Sequence, residues 1–270
     1  MPEVAEIFKS HGKEYLDKFQ EKMLPSHKRA LRDIVRCRTE YFGAHIYRCD
    51  HCGAVQLLYH SCRNRSCPKC HAKETKRWIE ERMDELLPVK YFHVVFTLPE
   101  ELREIVRSNQ VVLLSLLMTM AALSLQELAL DPKYVGGRIA ILAVLHTWTR
   151  AMIYHPHVHC LIPAGGISKD GTTWLPSNPG FLVPVKALSI IFRAKFMAKA
   201  REAFPNIDFP QSLFKKEWVV YCKPAVQGSK KVLEYLARYV HRIAITNSRI
   251  LSVKDGMVTF RYKDHKKLQR

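Results

Sequence analysis

The stretch His155-Pro156-His157-Val158-His159-Cys160 decides how this chain is read. Two histidines flank one branched apolar residue. Side chains alternate along a strand, so His157 and His159 share one face while Val158 enters the core. His155 has the same parity, and Pro156 beside it fits a strand edge or loop. Two imidazoles on one face can hold a divalent metal, and such a metal can polarise a phosphate. A third ligand must come from elsewhere. His93 and His146 are the candidates, and spacing does not choose between them.

Strands and helices mix on either side of this stretch. Tyr91 to Thr97 is aromatic and β-branched and reads as a buried strand stopped by Pro99. Residues 100–130 read as helix, broken near Asn109. Arg138 to Trp148 and Val158 to Pro163 read as strands, and Asp170-Gly171 as a hairpin turn. Residues 184–203 form an amphipathic helix, Trp218 to Cys222 a strand, Ser229 to Arg242 a helix, and Ile250 to Tyr262 a hairpin turning at Asp255-Gly256. Without a strict βαβ rhythm this order predicts an α+β fold with an antiparallel sheet. Upstream, residues 1–36 read as helical and 72–87 as a helix ended by Pro88. Residues 37–71 between them are too poor in apolar residues for a core, so a metal must hold them. The change of character predicts two domains, 1–88 helical and zinc-binding, and 89–270 catalytic.

The chain has 270 residues, 47% of them hydrophobic, enough to bury a core. Lys and Arg total 43 against 25 acids, a net charge of +18, which points to a polyanionic partner, most simply nucleic acid. An anionic membrane is the rival, but no terminal polybasic tract supports it. The start carries no apolar signal region. The longest apolar run, Val111 to Leu125, is shorter than the roughly 18 residues of a span and reads as a buried helix. A cytoplasmic, reduced protein is expected. Six of its eight cysteines lie between Cys37 and Cys70, which favours metal over disulfides.

Cys49-Asp50-His51-Cys52 and Cys67-Pro68-Lys69-Cys70 form two Cys-x-x-Cys knuckles. Thiolates so spaced grip one side of a tetrahedral zinc, and two knuckles complete it, so Cys49, Cys52, Cys67 and Cys70 are the expected structural ligands. Cys37, His45 and Cys62 remain for a second zinc. Arg63, Arg65, Lys69 and Lys73 surround this module and are candidate phosphate contacts. A closed structural site offers no reactive position, so the module is expected to position DNA.

Tyr235 and Tyr239 stand four apart on one helix face, at the margin of a stripe made by Val232, Leu233, Leu236 and Val240. Arg238 and Arg242 lie just beyond and are further DNA-binding candidates. A tyrosine nucleophile wants this placement, with the ring anchored, the oxygen exposed and a guanidinium near the phosphate. Tyrosines at amphipathic boundaries are also ordinary packing residues.

Together these segments resemble the two-tyrosine HUH transposases of rolling-circle insertion sequences. The matching stretches are Cys37-Arg38-Thr39, Tyr47 to Gly53, Ser61 to Cys70, Tyr91 to Pro99, Leu145 to Trp148, the histidine strand and Tyr235 to Val240, in the family's order. The resemblance implies an N-terminal zinc-binding module followed by a ferredoxin-like antiparallel-sheet HUH catalytic domain. It implies magnesium or manganese on His157 and His159, and attack on DNA phosphates by Tyr235 and Tyr239. The expected activity is cutting and joining single-stranded DNA at the element's ends through a 5′-phosphotyrosine. The family's pattern continues beyond the segment matching Val258 to Asp264, so a C-terminally truncated chain is expected. Two rivals stand beside this reading: a zinc-dependent DNA-binding protein or decayed, inactive transposase fragment, and a metal-dependent nuclease that uses water.

Overall fold

A computed structural model describes residues 2–149, 151–225 and 243–262, together with Lys231, Leu233, Glu234 and Ala237; of residues 71–74 it describes the backbone. The contacts divide the chain into two compact units, residues 1–78, 150–152 and 241–270 in one, 79–149 and 153–240 in the other.

The second unit is built on a four-stranded antiparallel sheet. Its strands are β3 (Tyr91–Thr97), β4 (Leu142–Trp148), β5 (Tyr154–Pro163) and β8 (Val220–Pro224), in the order β4-β5-β3-β8. The helices α4 (Arg103–Ser108) and α5 (Gln110–Ala129) connect β3 to β4, and α6 (Val185–Ala203) lies between β5 and β8. This βαββαβ order with antiparallel neighbours is the ferredoxin-like arrangement, so the fold is α+β as expected. A short hairpin of β6 (Gly165–Ile167) and β7 (Trp174–Pro176) and the single turn α7 (Ser212–Lys215) fill the crossover around α6.

Alternation sorts the sheet's two faces. Phe92, Val94 and Phe96 of β3 and Val158, Cys160 and Ile162 of β5 are fully buried in one core with Leu113, Leu117, Ala121 and Leu125 of α5 and Leu188, Phe192 and Phe196 of α6. Trp218 closes that core. Its ring meets Phe192 and Phe196 at centroid distances of 5.5 and 5.6 Å, and its indole N–H donates to the Leu213 carbonyl at 3.0 Å. A buried indole N–H needs such an acceptor. By length and composition α5 could cross a membrane. Here Leu113, Leu117, Met120, Ala121 and Leu125 are spent on the core.

The breaks follow local chemistry. Asn109 leaves helical geometry (φ −129°, ψ 43°) and donates its side-chain amide to the Ile105 carbonyl at 3.0 Å, dividing α4 from α5 where the sequence predicted. Pro156 does not end β5, which starts at Tyr154 and not at Val158; the Pro156 carbonyl accepts from Leu98 N–H at 3.1 Å. Arg138 falls short of β4 and instead bridges to Ile167.

The first unit pairs α1 (Val4–Phe19) with α2 (Pro25–Val35). Gly12 permits their approach, since a Cβ there would lie 3.3 Å from Leu31. Residues 37–71 hold a hairpin of β1 (Ala44–Arg48) and β2 (Val55–Tyr59), and α3 (His71–Asp84) follows. A C-terminal hairpin, β9 (Ile250–Lys254) and β10 (Met257–Phe260), belongs to this unit too. The division expected at residues 88 and 89 put it with the second domain. It groups with the first because Ile250, Ile245 and Val253 pack with Val4, Ile34 and the cysteines Cys37, Cys67 and Cys70, while Val4 N–H donates to the Asn247 side chain at 3.1 Å.

Ile250 is only 2% exposed and Met257 71%. Truncating a buried isoleucine costs about 2–5 kcal/mol, and an exposed change within about 0.5. Ile250→Ala should therefore lower the unfolding midpoint of the N-terminal unit and Met257→Ala should not. Calorimetry of the two variants checks this.

Candidate functional site

The register of the sheet assembles the histidines. Val144 of β4 and Val95 of β3 lie opposite His159, and His146 of β4 lies opposite His157. His146, His157 and His159 therefore occupy the face turned away from the helices, and their ligand nitrogens all lie within 4.8 Å of one another. The third partner that spacing left open between His93 and His146 is His146 in this geometry. His93, diagonal to His159 across the sheet, takes a different position: its Nε2 lies 2.8 Å from His159 Nδ1. His155 shares the strand and the parity but stands outside the trio.

Two hydrogen bonds fix which nitrogens face the centre. His157 Nδ1 lies 2.6 Å from the His155 carbonyl, which can only accept, so the proton is on Nδ1 and Nε2 is left for coordination. His159 Nδ1 is engaged by His93, so Nε2 again is the nitrogen that coordination would use. Burial disfavours imidazolium at all four positions. It holds His157 down to about 4 and His146, His159 and His93 below the ordinary histidine value, and for His146 and His159 the neighbouring imidazoles add to the effect. Neutral imidazoles are the form that ligates a metal. The donor set fits a divalent ion.

The cysteines assemble differently from the spacing rule. Cys37, Cys62, Cys67 and Cys70 bring their sulfurs within 4.8 Å of one another, with Cys37 Sγ 3.5 Å and Cys62 Sγ 3.6 Å from Cys70 Sγ. Four thiols in this grouping suit tetrahedral zinc. The expected quartet of Cys49, Cys52, Cys67 and Cys70 is not the grouping seen, since Cys67 and Cys70 sit with Cys37 and Cys62. Cys49 and Cys52 are exposed in the turn that joins β1 to β2, where Gly53 takes φ +70°. The hairpin loops out between Cys37 and Cys62 and closes at its base, where Arg38 N–H donates to the His60 carbonyl at 3.2 Å. That closure brings together two cysteines far apart in sequence. The contacts favour the thiolate at Cys70 alone, while burial pushes Cys62 up to about 12. The Cys67 thiol, first among the groups donating to it, holds Cys70 down to about 4, and the same contact with burial pushes Cys67 up.

His45, proposed with Cys37 and Cys62 for a second zinc, is exposed on β1 beside the His60 ring, at 4.4 Å between centroids, and is not in the cysteine group. Among the basic candidates, Arg63 and Arg65 are exposed, as a phosphate contact requires. Lys69 instead pairs with Glu3 at 2.7 Å, a contact that ties the cysteine turn to the start of α1. The backbone of Lys73 lies in α3. Tyr235, Tyr239, Arg238 and Arg242 lie outside the described residues. Around them Leu233 and Ala237 are helical and fully buried, four apart on one face.

Two family models match the chain. The "Transposase zinc-binding domain" covers residues 7–98 and "Putative transposase" covers 140–270. "Putative transposase y4qJ" of Sinorhizobium fredii (strain NBRC 101917 / NGR234) is 40% identical over 283 residues, spanning 98% of this chain and 71% of that protein. The "Transposase for insertion sequence element IS801" of Pseudomonas savastanoi pv. phaseolicola is 28% identical over 265 residues, spanning 87% of this chain and 62% of that one. No solved structure matches. A rolling-circle transposase is the class that fold, zinc module and relatives define. The chain belongs to the IS91 transposase family, whose zinc-binding domain it carries on its N-terminal side, and DNA is the partner this membership implies.

Cys67→Ser should strip zinc from the protein, while Cys49→Ser paired with Cys52→Ser should retain the ion of the four-cysteine cluster. Metal content per chain by atomic emission separates the two quartets. Loss of that ion from the Cys49, Cys52 variant alone would restore the spacing-based set.

Proposed function

We propose that this chain cuts and rejoins single-stranded DNA by tyrosine transesterification at the ends of its element. The observation that supports it is the convergence of His146, His157 and His159 on the sheet's open face, with the Nδ1 of both His157 and His159 already engaged. Magnesium or manganese held there would polarise the scissile phosphate and stabilise its charge. The chain's own groups do the rest. The phenol oxygen of Tyr235 or Tyr239 attacks phosphorus in line. The Tyr O–P bond forms as the bond from phosphorus to the 3′ oxygen breaks, and that oxygen leaves as a hydroxyl after taking a proton. The 5′ phosphate stays on the protein, so the phosphodiester's energy is kept and no nucleotide cofactor is needed. The second tyrosine takes the other strand end, which converts nicking into strand transfer.

The cysteine module and the exposed Arg63 and Arg65 supply contacts to the DNA backbone. With a net charge of +18, binding should weaken steeply with salt.

Labelled single-stranded DNA from the element's flanks, incubated with protein and manganese, should give a slow, protease-sensitive band on a denaturing gel. Tyr235→Phe combined with Tyr239→Phe should abolish it, and His157→Ala should reduce it at least 100-fold, about the scale of a lost catalytic group. An adduct that survives the double tyrosine change excludes this assignment. Cleavage without any adduct means that water is the nucleophile, and binding with neither means a DNA-binding fragment.

A further inference from the structure

We infer that His93 is a positioning residue that selects the metal-binding tautomer of His159. The inference rests on the metal reading of the three-histidine centre.

His157 and His159, the two β5 histidines of the trio, are oriented by different means. For His157 the strand does the work: its own backbone, through the His155 carbonyl 2.6 Å away, can only accept a proton from Nδ1. That choice is built into the main chain and needs no other side chain. His159 has an imidazole as its partner, His93 Nε2 at 2.8 Å. The two rings lie within 11° of parallel with centroids 5.0 Å apart.

A neutral imidazole can serve this bond in two ways. With its proton on Nδ1, His93 accepts at Nε2. His159 is then protonated on Nδ1 and turns its Nε2 lone pair to His146 and His157. With its proton on Nε2, His93 donates, and His159 must carry its own proton on Nε2, where it blocks coordination. One proton on His93 therefore decides whether His159 can ligate. A ligating histidine that donates its other N–H to an oriented acceptor is held in tautomer and ring angle, and losing such an acceptor typically weakens metal affinity 10–100-fold. His93 is fixed for this duty by β3, where it pairs with Leu161 on one side and Lys223 on the other, and by the Tyr221 ring 5.9 Å away.

The test is manganese affinity of the full chain by titration calorimetry, with the tautomers read by imidazole nitrogen NMR. His93→Leu removes the acceptor and should weaken manganese binding 10–100-fold. His93→Gln places an amide oxygen near the position of Nε2 and should recover affinity to within a few-fold. In the unsubstituted protein, nitrogen shifts should show His159 protonated on Nδ1, a readout that does not depend on how any variant folds. His157→Ala is the reference arm. If it leaves manganese binding unchanged, the metal reading of the centre fails. If it abolishes binding while His93→Leu binds as the parent does, or if His159 carries its proton on Nε2, His93 does not position the ligand.

Discussion

The central constraint is the register of β5 between β3 and β4. A strand shows its side chains to two faces in turn, and a slip by one residue would exchange them all. Here Val158, Cys160 and Ile162 are locked among α5 and α6, and so His157 and His159 must face the other way. The neighbouring registers then carry His146 opposite His157 and His93 diagonal to His159. Apolar burial on one side thus places polar ligands on the other. The centre costs stability, because several imidazoles are held half-buried or buried and kept neutral. The hydrophobic face of the same sheet offsets that cost.

A second constraint holds the N-terminal unit. Residues 37–71 have little apolar content, and their hairpin β1–β2 is exposed along nearly its whole length. Order there comes from the four thiols of Cys37, Cys62, Cys67 and Cys70 and from the small core that Val4, Ile34 and Ile250 build against them. The buried Asp33 helps from α2, accepting from the Asn64 side chain at 2.9 Å and pairing with Arg32 at 3.0 Å. Zinc held by these thiols would couple its binding to the order of this segment.

Much of the fold was legible in the sequence because it rests on periodicity. The buried strand Tyr91 to Thr97, the break at Asn109, the helix near residues 184–203 and the turn at Asp255-Gly256 all follow from local pattern. The α+β class and the family followed from the order of these motifs. Ligand choice was less legible, since it depends on tertiary closure. Spacing pairs Cys49 with Cys52, yet the hairpin carries both to its exposed turn and brings distant Cys37 to Cys62. His93 and His146 could not be ranked without the strand registers. The C-terminal hairpin was recognised as a hairpin, but its place with the first unit depends on where Ile250 packs.

A manganese-soaked crystal tests the central claim most directly. Anomalous scattering should place one ion among His146, His157 and His159, bound through the Nε2 atoms of the two β5 histidines. An ion bound elsewhere, or none at this centre when manganese is saturating, would contradict the account.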